Sequence, residues 1–360
     1  MIANFRSDNE TPVAPAIMEA ILQANHGNAW AYATDDWSDR LDQAFSALFR
    51  CQASVLPLAT GTAANAIALA TVTPPWGSVF CHRGAHIYND EGGAPEFFGS
   101  GLRLVPVEGA QGKITPGGLV EAVRANEGHG VHSYQPSVLS LTQATEGGTV
   151  YSPREVKALC DAAHALGLKT HMDGARFANA VAQLGCHPAE VTVEAGIDML
   201  SFGASKNGCM AAEALVIFNQ PQWREAAERL RKRSGHLLSK MRYVSAQLLA
   251  YIDNDRWLAM AEHANRQAAR FAGAVIKHPV AKLAYPVEAN EVFVSWTEEG
   301  FKHLEAHGIE FQRWPGRDDL ARFVFGHSTT GEETEKLIDS LGEFRAARPV
   351  LVDISSSSRA

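Results

Sequence analysis

The chain has 360 residues, 46% of them apolar, and a formal net charge of −8 at pH 7. That apolar content suffices for one large core and a smaller second one, and the acidic balance argues against a nucleic-acid partner, which calls for a basic face. No apolar run approaches the roughly 18 to 20 residues of a membrane span. No leader-like segment opens the chain, and Cys51, Cys81, Cys160, Cys186 and Cys209 lack CxxC spacing, so a small-molecule partner in a reducing cytoplasm is the expected setting.

In chain order, residues 1–15 read as a polar arm carrying Phe5-Arg6-Ser7-Asp8-Asn9, with Pro12 and Pro15 delaying a helix until about Ala16. Such an arm can reach a site. Leu41, Phe45, Leu48 and Phe49 recur at helical spacing between Trp37 and Phe49. Ala53 to Leu58 has the pattern of a buried strand, Thr60-Gly61-Thr62 of a tight turn, and Ala63 to Ala70 of a helix. Further strands are expected at Ser78 to Cys81, Leu102 to Val107, Ser137 to Leu141, Leu168 to Met172, Met199 to Phe202 and Leu215 to Phe218. Helical patterns such as Pro153 to Leu166 separate many of them, which argues for an α/β fold with a mixed, mostly parallel sheet.

A helical region follows Pro221, with a basic cluster at Arg229, Arg231, Lys232 and Arg233, and a second is expected to run from about Tyr243 to Phe271. From Ala281 the pattern changes to strand (Val292 to Trp296), helix (Lys302 to His307) and strand (Arg322 to Phe325). The predicted layout is an arm (1–15), a large domain (16–255), a smaller α+β domain (256–348) and a serine-rich disordered tail (349–360). No internal repeat is visible.

Two stretches carry the chemistry: His171-Met172-Asp173-Gly174-Ala175-Arg176, and Ser201 to Gly208 with a lone Lys206. Each continues an apolar strand, so an acid with an arginine and a lysine arrive at strand ends, where open α/β sheets bind ligands. An aspartate facing a pyridine nitrogen and a lysine able to form an imine are what pyridoxal phosphate requires of a protein. Asp173 has a plainer alternative as the N-cap of a helix beginning near Ala175. Arg176 could fork a carboxylate or be a solvated helix arginine. Thr60-Gly61-Thr62, between strand and helix, suits an anion at a helix N-terminus, but it is not a Walker loop. His86 and His132 are candidates for ring stacking and proton transfer, each with a surface or core role as its alternative. Cys209 reads as a buried structural thiol rather than a site residue. No cluster has metal-ligand spacing, and no catalytic metal is expected.

Together, Arg6-Ser7-Asp8, Thr60-Gly61-Thr62, Ala85-His86-Ile87-Tyr88, Gly92-Gly93-Ala94, His171 to Arg176 and Ser205-Lys206 resemble the threonine aldolases, in the β-eliminating lyase group of fold-type-I (aspartate aminotransferase-like) pyridoxal phosphate enzymes. The likeness runs from the arm to about residue 340. Thr73-Pro74-Pro75-Trp76-Gly77, Gly93 to Phe98, Thr142 to Glu146 and Gly235 to Arg242 resemble the branch that contains bacterial phenylserine aldolase. The commoner threonine aldolases have Asn-Thr-His-Asn where this chain has Gln143-Ala144-Thr145-Glu146, and Gly-Leu-Gly-Ala-Pro where it has Asn207-Gly208-Cys209-Met210-Ala211.

The resemblance implies that Lys206 is the Schiff-base lysine, Asp173 the pyridinium partner, His86 the stacking histidine and His132 the second active-site histidine. It implies that Thr60, Gly61, Thr62 and Ser205 contact the cofactor, and that Lys240 reaches its phosphate from a neighbouring subunit. Ser7, Arg176 and Arg322 would hold the substrate carboxylate, with Arg176 also near the cofactor. The implied reaction is retro-aldol cleavage of an L-β-hydroxy-α-amino acid (threonine, allo-threonine or phenylserine) to glycine and an aldehyde, in a dimer or tetramer with shared sites. Elimination or racemisation through the same carbanion, and a non-catalytic cofactor-binding regulator, are the rival readings.

Overall fold

The computed structural model describes residues 3–128 and 130–344; the tail expected at 349–360 and the last residues of the predicted smaller domain lie outside them. Its strands are β1 (Ala3–Asn4), β2 (Ala53–Leu58), β3 (Gly77–His82), β4 (Arg103–Val107), β5 (Gln135–Thr142), β6 (Lys169–Gly174), β7 (Met199–Gly203), β8 (Glu213–Phe218), β9 (Lys282–Leu283), β10 (Glu291–Ser295), β11 (Ile309–Glu310), β12 (Gln312–Arg313) and β13 (Leu320–Val324). Seven form the main sheet in the order β2-β8-β7-β6-β5-β3-β4. Only β8 runs against its neighbours, β2 and β7; the other pairs are parallel. β2, β7 and β8 are buried at every position, as strands covered on both faces must be, and this is why they read as continuous apolar runs.

Helices cover the sheet because their caps and stripes match it. Pro153–Ala165 opens with a reciprocal Ser152–Glu155 capping box and Pro153 in its first position, and it buries Val156, Leu159, Cys160 and Ala163 along one face. Inside the main core Phe202 is fully buried, its ring centroid 5.2 Å from Phe45, 5.7 Å from Trp257, 5.9 Å from Tyr251 and 6.0 Å from Phe177.

The helix expected from Tyr243 to Phe271 is two helices, Arg242–Ile252 and Arg256–Lys277. Between them Asn254 and Asp255 adopt left-handed backbone, each with φ 52°, a conformation that short polar side chains tolerate and that a run of Asp253-Asn254-Asp255 invites. The turn lets Tyr251 and Trp257 both face the core, 6.4 Å apart.

A second core forms around the small sheet β12-β13-β10-β9 and the helices Arg256–Lys277 and Gly331–Glu343. The N-terminal arm belongs to it. β1 pairs parallel with β11, and the fully buried Phe5 sits 5.0 Å from Phe325. From this anchor the arm crosses toward the carboxyl edge of the main sheet. Among the described residues no helix is long and apolar enough to cross a membrane.

Truncating the centre of the aromatic cluster tests the packing. Phe202→Ala is expected to cost about 3 to 5 kcal/mol, read as a lower denaturant midpoint in equilibrium unfolding; a change under about 1 kcal/mol would mean the cluster is loosely packed.

Candidate active site

Parallel strands deliver their carboxyl ends to one edge, and that edge carries a cavity of about 310 Å³. Thr60, Gly61 and Thr62 follow β2, Glu146 follows β5, Asp173 lies in β6, and Ser205 and Lys206 follow β7; all of them line it, with His86 and Glu91 from the segment after β3. Because β8 runs antiparallel, its first residue, Glu213, arrives at the same edge. Lys206 is half-buried, and among the described residues its ammonium makes no hydrogen bond or ion pair.

Asp173 is buried and its carboxylate is fixed at both oxygens. Oδ1 accepts the Ala175 N–H at 3.0 Å, and Oδ2 accepts from Asn65 Nδ2 at 2.9 Å. It is not the helix N-cap: the following helix is Phe177–Leu184, preceded by Arg176 with no side-chain cap. The same Asn65 Nδ2 lies 2.8 Å from Glu91 Oε1, which is 2.9 Å from His86 Nδ1. The hydrogen bond to Glu91 raises the His86 pKa against the opposing effect of burial. Two residues before Asp173, and so on the same face of β6, buried His171 is flanked by the Ser140 and Ser201 hydroxyls at 2.9 Å each. Burial pushes its pKa down to about 4, so it stays neutral beneath the aspartate.

Asn65 and Glu91 were not found by sequence reasoning. The available signal was Asn65 inside Ala63-Ala64-Asn65-Ala66-Ile67, a polar residue in an apolar helix, which has to be satisfied when buried. Asn65 Oδ1 and Glu91 Oε2 remain buried without a partner among the described residues.

At the Thr60-Gly61-Thr62 turn, the Thr60 hydroxyl caps the helix Gly61–Val72 by accepting the Ala63 N–H at 3.2 Å. The N–H groups of Gly61 and Thr62 point out of the helix start, where an anion is favoured. A Cβ on Gly61 would meet only Glu213 Oε2, at 3.9 Å, so the turn is open to a ligand. Burial pushes the Glu213 carboxyl up to about 7, although its Oε1 accepts the Ser205 N–H at 3.2 Å.

The residues expected to hold a substrate carboxylate are differently engaged. Arg176 is neither solvated nor free: buried, it forks Asp8 of the arm through Nε and Nη2 at 2.8 and 2.9 Å, with Glu291 3.4 Å from Nη2. The fork predicted for a ligand therefore holds Asp8. Arg322 Nη1 lies 3.1 Å from Glu291 Oε1, and its Nη2 donates to Gln312. Arg322 lines a neighbouring cavity of about 590 Å³. The Ser7 hydroxyl accepts the Asn9 N–H at 3.1 Å.

Ser7 and Arg176 line neither cavity, and two further predicted residues, His132 and Lys240, are also not brought to them within this chain. His132 is exposed at the end of the turn Gly130–His132, before β5 begins. It lies at the amino edge of the sheet, a strand length of roughly 25 Å from the carboxyl edge. Lys240 is exposed on the turn before Arg242–Ile252 and does not line the cavity. Cys209 is buried in the main core, and it is Met210 that lines the site. Among the described residues His303, His307 and Glu343 bring one potential metal-ligand atom each within 4.8 Å of one another; none of them lines this cavity.

A profile of the β-eliminating lyase family matches residues 4–299. Over 333 residues, 92% of this chain and 95% of its relative, the sequence is 41% identical to a low specificity L-threonine aldolase of Pseudomonas aeruginosa. The chain belongs to the threonine aldolases of the β-eliminating lyase family. A second such relative, from a Pseudomonas species, is 40% identical over the same span. Among solved structures, a Leishmania major threonine aldolase superposes with a TM-score of 0.88 at 24% identity, over 94% of this chain and 98% of that one. That likeness is one of fold, and it extends to fold-type-I enzymes of other activities: an Escherichia coli methionine aminotransferase reaches a TM-score of 0.72 at 13% identity, over 95% and 94% of the two chains.

The raised Glu213 pKa makes this aldolase-family fold pH-sensitive. Between the ordinary value of 4.5 and about 7 the folded state holds a proton that the unfolded chain has lost, so stability conferred by neutral Glu213 falls as pH rises through that window. Glu213→Gln is expected to gain in melting temperature relative to wild type between pH 4.5 and 7.5 in the cofactor-free protein. A pH-independent offset between the two would remove this assignment.

Proposed function

We propose that the chain is a pyridoxal phosphate-dependent aldehyde-lyase that cleaves L-β-hydroxy-α-amino acids, with L-threonine, L-allo-threonine and L-phenylserine as candidates, to glycine and an aldehyde. The observation that carries this reading is the unpartnered Lys206 ammonium in one cavity with the doubly anchored Asp173 carboxylate and the open turn at Gly61. That donor set suits the cofactor: an amine to hold it, a fixed anion for its ring nitrogen and outward N–H groups for its phosphate.

When bound, the cofactor supplies an electron sink for the pair released at the substrate Cα. Lys206 would be the residue that holds it. Asp173, kept from rotating by Asn65 and the Ala175 N–H, would supply the anion for its ring nitrogen, and His86, oriented by Glu91, would pack against it. Thr60, Gly61, Thr62 and Ser205 would hold the phosphate, and Lys240 of a neighbouring subunit would complete that site in a dimer or tetramer. Arg322, Ser7 and the Nη1 side of Arg176 bind the substrate carboxylate, and that anchor decides which Cα bond stands in line for cleavage. We place the enzyme in the cytoplasm, in keeping with its free cysteines.

Glycine and aldehyde released one-for-one from the three substrates would establish the reaction, whereas ammonia with a keto acid, or the enantiomer, would replace it by elimination or racemisation. Lys206→Ala is expected to lose both turnover and cofactor retention through denaturation; normal glycine production by that variant would overturn the assignment. Asp173→Asn is expected to fold and keep the cofactor while losing on the order of a hundredfold or more in kcat. A near-wild-type rate would leave Asp173 a structural role only.

A further inference from the structure

We propose that Glu146, at the end of β5, takes the proton from the substrate's β-hydroxyl group, so that a carboxyl rather than a second histidine handles this proton. The inference rests on the aldolase reading above. Its first support is position: among the described residues Glu146 and His86 alone line both the 310 Å³ cavity that holds Lys206 and the 590 Å³ cavity that holds Arg322. A substrate whose Cα lies at Lys206 and whose carboxylate is held by Arg322 spans the two, so Cα and the hydroxyl-bearing Cβ attached to it, only two bonds from that carboxylate, come within reach of Glu146 and His86, the residues common to both cavities.

The second support is that the Glu146 carboxyl makes no hydrogen bond or ion pair among the described residues, although acids and bases surround it. Glu291 and Asp173 face it with like charge, Arg176 and Lys206 with opposite charge, and His86 lies across the neck. Burial first, and the like charges next, bring its pKa up to about 7, where a carboxyl serves as a base at neutral pH. His86 is the poorer base, since Nδ1 is committed to Glu91 and its pKa is raised toward the protonated form.

The step balances. The Glu146 carboxylate takes the hydroxyl proton, the O–H pair becomes the new C=O bond, the Cα–Cβ bond breaks with its electron pair staying on the Cα side, and the aldehyde leaves. Cα then takes a proton from Lys206, Lys206 recovers one from solvent, and Glu146 returns its own to solvent.

The test is Glu146→Gln in the holoenzyme. Glycine release from L-threonine is expected to fall by roughly 10²- to 10⁴-fold in kcat with little change in KM. Exchange of the glycine α-proton with deuterium, which needs Lys206 but no β-hydroxyl base, stays near the wild-type rate. Wild-type kcat/KM rises with pH through an apparent pKa near 7; the variant lacks that limb, and Glu146→Asp restores it in part. In cofactor-free protein labelled at glutamate Cδ, the carbon resonance missing from Glu146→Gln titrates near pH 7. Equal loss of glycine release and exchange would overturn the proposal in favour of a structural role, and undiminished turnover would overturn it outright. Wild-type protein that makes no glycine from any of the three substrates would overturn the aldolase reading, and this proposal with it.

Discussion

The buried ion pair between Asp8 and Arg176 joins three parts of the molecule that the sequence keeps far apart. Arg176 follows β6, Asp8 comes from the arm anchored in the second core, and Glu291 and Asn290 bring in the small sheet: Asn290 donates to Asp8 at 3.0 Å, and Glu291 lies between Arg176 and Arg322. A guanidinium out of solvent is tolerable only with such neighbours. Burial pushes the Asp8 carboxyl upward, but Arg176 and Lys206 outweigh it and hold the group below the usual carboxylate range. Removing either partner would strand a charge where the main sheet, the arm and the small sheet meet, so the geometry of the cavity depends on this pair.

The acidity of the cavity follows from the same crowding. Asp8, Glu91, Glu146, Asp173, Glu213 and Glu291 stand at or beside it, against Lys206, Arg176, Arg322 and His86. Not all of these acids can ionise together near neutrality. The charge is concentrated where it is compensated, at Asp8 beside Arg176, while Glu146 and Glu213 are left with pKa values of about 7. Neutral Glu213 permits an anion at the Gly61 turn, whereas an ionised one would repel it.

Where an element announces itself through periodicity, the sequence was readable. β2 was located residue for residue, and Asp173 and Lys206 could be assigned to strand ends because Leu168 to Met172 and Asp198 to Phe202 read as buried strands, which β6 and β7 largely are. What tertiary structure supplies was not readable. Glu213 reaches the site only because β8 reverses direction, and strand direction leaves no mark on composition. Asp8 is written in a polar arm, yet it is buried by a salt bridge to a residue 168 positions away. His132 was assigned to the site by resemblance, and within one chain it stands at the amino end of β5, away from the cavity.

The loop after β5 explains why a carboxyl stands at the neck of the two cavities. Gln143 is fully buried and behaves like a strand partner, its amide accepting from Tyr151 N–H at 3.0 Å and donating to Tyr151 C=O at 2.8 Å. Ala144 packs with Val150, Ala180 and Ala289. Thr145 closes the loop through its N–H to the Thr149 carbonyl at 2.9 Å and its hydroxyl to that of Thr149 at 2.7 Å. Three of the four residues that depart from Asn-Thr-His-Asn are thus committed to holding the loop shut. Glu146 alone among them lines both cavities, so the departure acts on the site through one side chain, and it sets an acid between the Lys206 cavity and the Arg322 cavity.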